Sequence, residues 1–203
     1  MIRPPTIVLN LIIINTLFFF GTFIAPKFNI DMNVMFDLFH PMTDYFKPWQ
    51  LLTYMFMHAN FSHLFFNMLG LYMFGAQLEN YWGPKRFLSF YLITGIGAGL
   101  ANSLINFLIF SQTGNIEVLA PMLGASGAVF GCLGGFGFMF PNQEMMSLFI
   151  PIPMKAKYWV TIYGVMELFF GVASNDNVAH YAHLGGLVVG LGLLFIWRKM
   201  GKV

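Results

Sequence analysis

The chain has 203 residues, 58% of them hydrophobic and 9% charged, with 25 phenylalanines and a formal net charge of +2. A soluble domain carries about 25% charged residues, so this composition excludes an ordinary soluble enzyme and places the chain in a membrane. The basic residues stand in pairs at segment ends and form no patch for nucleic acid, and the single Cys132 lies in an apolar run where packing is its expected role.

A bilayer core about 30 Å thick takes roughly 20 apolar residues at 1.5 Å each. Six segments qualify: 7–25, 57–76, 87–110, 123–140, 156–172 and 179–197. The first follows a basic start, as in a signal peptide, but its apolar part from Ile7 to Ala25 is long for a cleaved segment and is expected to be retained. With the N-terminus inside, Arg3, Lys85, Arg86, Lys155, Lys157, Arg198, Lys199 and Lys202 fall on the inner side, and only Lys27 and Lys47 fall outside. That asymmetry predicts an even number of spans with both termini cytoplasmic.

The segment from Pro26 to about Phe56 is long and mixed. Val34, Phe36, Leu38 and Phe39, with three aspartates, suit a structure lying at the outer interface, where Tyr45, Trp49 and Tyr54 would serve as headgroup anchors. Residues 141–154 form a smaller inner connection in which prolines stop the fourth span. Glycines four apart (Gly95 and Gly99, Gly127 and Gly131, Gly131 and Gly135, Gly186 and Gly190) predict flat helix faces that meet closely.

Certain polar residues interrupt these apolar runs. His63 and Asn67 share one face of the second span, with His58 at its outer end; Ser126 opens the fourth; His180 and His183 lie three apart in the sixth. Counted from the inner edge at 1.5 Å per residue, Ser126 and His183 both come out about 22 Å up, and His63 about 24 Å. Taken singly, Ser126 would be a serine bonded to its own helix, and His63, Asn67 and His180 would be polar contacts between helices. A shared depth in three separate segments is what those readings leave unexplained.

A serine hydroxyl becomes a nucleophile when a neutral imidazole within reach takes its proton, and the oxyanion that follows needs aimed donors. Ser126 and His183 fill the first two roles, and His63 with Asn67 fills the third. Asp176 is the one acidic residue close to His183 in sequence and is expected in an outer loop, so a dyad is predicted in place of a triad. Glu167, in the fifth span, stays open between a structural carboxylic acid and a substrate gate. No cofactor is needed. Metal binding by His58, His63, His180 and His183 is the chemical rival, but HANFSH and HYAH lack the glutamate of an HExxH metalloprotease.

HANFSHLFFNM, GASG and AHLGGLVVG, with GAQLENYWGPKRF after the second span, resemble the rhomboid family of intramembrane serine proteases in its compact bacterial form. The resemblance covers nearly the whole chain. It implies an all-α, multi-pass bundle of six transmembrane helices with a membrane-associated first loop, a single domain over 1–203. It further implies Ser126 as nucleophile, His183 as base, and His63 and Asn67 as oxyanion donors. Gly124 and Gly127 would frame the serine, Gly186 and Gly190 would draw the sixth helix to the fourth, and His58, Phe130 and His180 would line the site. Phe130 stands where several relatives have Tyr, and the Trp-Arg pair common in the first loop is not evident. Glu79 matches an acidic residue at the inner end of the second helix, expected to bind nearby backbone or basic groups. The expected partners are transmembrane protein substrates and lipid, in a bacterial cytoplasmic membrane, and the loop 171–178 would move as a cap. A channel lined by His and Asn, or an inactive relative that retains membrane proteins, are the competing functions.

Overall fold

The computed structural model describes residues 5–146, 152–173 and 179–202. Helix α1 spans Thr6–Ile24 and continues as a 3-10 turn through Phe28. In a bilayer its first N–H groups need acceptors that its own backbone does not provide. Glu79 supplies them: Oε1 accepts from Ile7 N (2.9 Å) and Thr6 Oγ1 (3.3 Å), and Oε2 accepts from Val8 N (2.8 Å). The buried carboxylate therefore caps α1 and ties it to the helix that carries residue 79.

The first loop is built from short pieces, α2 (Met32–Phe36) and α3 (Gln50–Thr53), the latter extended by a 3-10 turn Tyr54–Phe56. Gln50 is fully buried and knots them together. Its Oε1 accepts from Lys47 N (3.0 Å) and Phe39 N (3.4 Å), while its Nε2 donates to Val34 O and Tyr45 O, both at 3.2 Å. Tyr45 and Trp49 are exposed, as headgroup anchors must be, but Tyr54 is not. It is wholly buried, and its hydroxyl donates to Gly95 O at 2.7 Å. The expectation of an interfacial Tyr54 is thus corrected: the turn after α3 points it into the bundle, where Gly99 leaves room for its ring. An antiparallel bridge between Leu38 and Met122 (N–O 2.9 and 3.0 Å) joins this loop to the chain just before the fourth apolar segment.

Helix α4 (Phe61–Gly70) passes through a widened turn, Leu71–Gly75, into α5 (Ala76–Trp82). Gly83, at φ +81°, then reverses the chain directly into α6 (Pro84–Thr113), whose first residue is a proline with no N–H to leave unpaired. Helix α7 (Ser126–Met139) is shorter than the span 123–140 expected, because the three residues before Ser126 are not helical. After it, β1 (Glu144–Met145) pairs antiparallel with β2 (Met154–Lys155), a small ladder where the sequence indicated only a break. Helices α8 (Ala156–Ala173) and α9 (His180–Lys199) complete the bundle. The α1 segment Thr6–Phe28, α6 and α9 are long and apolar enough to cross a membrane.

Ten of the 14 residues of α7 are buried, so this helix forms the centre. Its glycines make that position accessible. A Cβ on Gly127 would lie 2.6 Å from Ala98 Cβ of α6, and one on Gly131 would lie 2.7 Å from Thr94 Cβ. On the α9 side, a Cβ on Gly186 would overlap the Gly127 carbonyl, and one on Gly190 would sit 3.2 Å from Gly131 Cα. Gly127 and Gly131 thus meet Gly186 and Gly190 backbone to backbone, as the pattern predicts, whereas Gly95, Gly99 and Gly135 make room for side chains of Met55, Leu38, Tyr54, Leu78 and Phe90.

Two predictions follow from these contacts. Glu79→Ala removes the acceptors of three donors at the start of α1 and is expected to cost about 1–3 kcal/mol, read as a lower melting temperature in detergent. Asp37, in the first loop, is buried with Oδ1 lacking a hydrogen-bond partner, and burial, followed by the charge of Asp31, pushes its pKa from 3.8 up to about 7. A carboxyl raised in the folded state favours folding while protonated, and its ionisation lowers stability as pH rises from about 4 through about 7. Asp37→Asn should therefore melt higher than the parent protein above pH 7, with the difference shrinking toward pH 4.

Candidate active site

The chain before α7 is fixed from two sides. Met122 pairs with Leu38, and Gly124 N donates to Tyr54 O at 2.9 Å. Gly124 has φ +126°, a backbone region that residues with a Cβ avoid, and this turn brings Ser126 to the first position of α7. The N–H groups of that first helical turn have no acceptors within the helix and project at the level of the hydroxyl.

Across from it, α9 presents His183 one turn before Gly186, the point of closest contact with Gly127. Ser126 Oγ and His183 Nε2 lie 2.7 Å apart, joining residues 57 positions apart in sequence. Phe130, one turn below Ser126, stacks flat against the His183 ring with centroids 4.5 Å apart and planes 3° from parallel. The imidazole is thus held in one plane with an edge toward the hydroxyl. The His183 side chain is only 12% exposed.

Helix α4 brings the other polar groups. Asn60 caps it by accepting from His63 N at 2.9 Å, which fixes His63 in the first turn. A Cβ on Gly124 would lie 2.8 Å from both Cε1 and Nε2 of His63 and 3.6 Å from Ser126 Oγ. The His63 ring therefore occupies the space that a side chain at position 124 would fill, with Nε2 directed to the hydroxyl's surroundings. Asn67 is buried one turn deeper and donates from Nδ2 to His63 O at 2.9 Å. His58 is buried edge-on against His63, centroids 5.0 Å apart, and neither of its ring nitrogens has a hydrogen-bond partner. Gly127 is buried behind the serine.

The sixth apolar segment holds a feature that sequence order hid. His180 Nδ1 lies 2.6 Å from Oε2 of Glu167 on α8, and the same oxygen is 3.0 Å from His183 Nδ1. The second contact is within ion-pair distance but lacks the alignment of a hydrogen bond, so His183 Nδ1 has no aligned partner. Asp176, the one acid close to His183 in sequence, lies outside the described residues, and the carboxylate that stands near His183 in space comes from the neighbouring helix. The one signal in the sequence was an acid inside an apolar span. Glu167, His180 and His183 also form a group of three ligating atoms within 4.8 Å of one another. The 2.6 Å separation of two of them is a direct hydrogen bond. Of the loop 171–178, residues 174–178 likewise lie outside the described residues.

Taken together, a hydroxyl, an imidazole on it and donors from a second helix form an arrangement suited to acyl transfer. Comparison with known proteins points the same way. A family model described as the rhomboid domain matches residues 45–200. The chain is 35% identical over 144 residues to Rhomboid protein 1, mitochondrial, of Saccharomyces cerevisiae, covering 70% of this chain and 39% of that protein. It is 34% identical over 142 residues to the rhomboid protease GluP of Bacillus subtilis, covering 70% and 24%. With the putative rhomboid protease YdcA of the same bacterium, it shares 31% over 150 residues, covering 73% and 66%. The matched region thus spans from about a quarter to two thirds of the length of these relatives. By the extent of these matches and the motifs they include, the chain belongs to the rhomboid family.

Proposed function

We propose that the chain is an intramembrane serine endopeptidase that hydrolyses peptide bonds in or near the transmembrane segments of other membrane proteins. The observation that carries this reading is the 2.7 Å approach of Ser126 Oγ to His183 Nε2. As Oγ bonds to the scissile carbonyl carbon, its proton passes to Nε2, and the resulting imidazolium returns that proton to the leaving amine. Negative charge developing on the carbonyl oxygen is met by the Ser126 N–H, His63 Nε2 and, after its amide turns from the His63 carbonyl, Asn67 Nδ2. The turn at Gly124 leaves a narrow approach to Ser126 suited to small residues at the cleaved position, and a substrate helix has to unwind locally to present its carbonyl there.

In this reading the chain is the compact bacterial form of the family, one integral-membrane unit of six spans. The helical run 61–82, α7 and α8 add to the three long apolar helices, and both termini face the cytoplasm of a bacterial inner membrane. The eight-to-two division of basic residues supports that direction. The chemistry uses no cofactor.

Labelling by a fluorophosphonate tests the nucleophile: Ser126 should be modified in the parent protein, and Ser126→Ala should lose both the label and cleavage of a transmembrane substrate. Turnover by that variant would overturn the reading. His183→Ala should likewise lose cleavage, while Asn67→Ala should slow it by about 10- to 1000-fold, the scale of a lost oxyanion donor. Gly124→Ala places a methyl group on the His63 ring at a positive φ. It is expected to cost about 1–3 kcal/mol of stability and most of the cleavage rate, measured by melting and by single-substrate assay.

A further inference from the structure

Resting on the reading of Ser126 and His183 as nucleophile and base, we propose that Glu167 is a positioning residue for the base. In this chain the pair works as the inner part of a three-membered relay.

The geometry begins with the division of labour on the His183 ring. Nε2 faces Ser126 Oγ at 2.7 Å, so the proton of the resting imidazole belongs on Nδ1. Glu167 Oε2 lies 3.0 Å from Nδ1. Phe130 fixes the plane of the ring from below. Stacking does not select which nitrogen is protonated, nor does it stop rotation within that plane. An acceptor at Nδ1 does both.

Glu167 is itself held in place. Its Oε2 accepts from His180 Nδ1 at 2.6 Å, and Tyr181 OH donates to Gly171 O at 2.5 Å, so the outer half of α8 is tied twice to α9 around the site. The Glu167 side chain is 14% exposed and the His180 side chain 10%. A carboxylate at such a position is costly in a membrane, and for a merely structural contact between α8 and α9 a neutral amide would serve as well. A charge is useful where positive charge appears during the reaction, and the His183 ring becomes an imidazolium as Ser126 gives up its proton. The positive ring then faces a carboxylate oxygen 3.0 Å from Nδ1, and a small adjustment that aligns this off-axis contact makes it a charge-assisted hydrogen bond. Glu167 accepts no proton in this scheme. It sets the tautomer and stabilises the charged ring, while His180 keeps its oxygen in place.

Glu167→Gln tests the proposal, because the amide preserves size and can still accept a hydrogen bond but carries no charge. Cleavage is measured with the full chain in detergent and in vesicles, beside Ser126→Ala. The expected result is a fall in kcat of at least about 10-fold with KM and melting temperature unchanged, and a fluorophosphonate reaction at Ser126 slowed in parallel. A Glu167→Gln protein with the parent kcat would overturn the relay and leave the Ser126–His183 reading intact. A loss of activity matched by a lowered melting temperature would overturn it in favour of a structural contact. Loss of parent activity on treatment with a chelator would overturn it by making Glu167, His180 and His183 a metal site. Activity surviving in Ser126→Ala would remove the underlying reading itself, a result distinct from all of these.

Discussion

The close contact of α7 with α9 is the constraint on which the site depends. In lipid, helices gain little from burying apolar surface against each other, so their association rests on close packing. Gly186 lies against the Gly127 carbonyl, where a methyl group would overlap it, and Gly190 lies against Gly131, where a methyl group would be tight at 3.2 Å. Ser126 is the neighbour of Gly127, and His183 stands one turn from Gly186. The packing that holds the two helices together therefore also sets the separation of Oγ and Nε2. Phe130 belongs to the same arrangement: one turn along α7 from Ser126, it stacks on the His183 ring.

Away from the site several buried polar groups are fully bonded, although among the described residues Asn15 Oδ1, Asp37 Oδ1, Trp82 Nε1 and Tyr91 OH have no hydrogen-bond partner. Gln50 uses both ends of its amide to bind four backbone groups, Tyr54 gives its hydroxyl proton to a carbonyl of α6, and Glu79 accepts from three donors. A further group of unmade bonds lies around the Ser126 hydroxyl. Both ring nitrogens of His58 and the Nδ1 of His183 are buried without an aligned partner, and the first N–H groups of α7 lack helical acceptors. A buried group without a partner costs about 1–3 kcal/mol, so a cluster of them at one depth is the pattern of a site whose partners arrive with substrate or form during reaction.

Much of this was legible in the residues because a membrane restricts the options. Each span has to satisfy its own backbone, so apolar length located most helices to within a few residues, although the second, expected over 57–76, runs over 61–82; counting from charged ends put Ser126, His63 and His183 at one expected depth. His63 and Asn67, four apart, had to share a face. The failures have equally local causes. Aromatic residues near an interface are only statistically anchors, and nothing in the residues around Tyr54 tells that glycines of α6, some 40 positions later, have cleared a place for its ring. The late start of α7 depends on the φ of Gly124, a property of the turn set by bonds to Leu38 and Tyr54. Glu167 was visible as an anomaly, but its partner was hidden: depth alone does not tell which face of α8 turns toward α9.

Glu79 and Glu167 show why a hydrogen-bond inventory separates structure from chemistry. Glu79 sits against a helix start where the donors are backbone N–H groups that cannot move or lose their protons, and both its oxygens are in use. Its environment is the same whether the protein is working or idle, so it caps a helix. Glu167 shares a single oxygen between two imidazoles, groups whose charge changes near neutral pH, and one of its contacts is out of line. Completing that contact requires only a small rotation and gains most when the His183 ring is positive. A carboxylate placed for the charged state of its neighbour is positioned for an event on the reaction path more than for the resting fold.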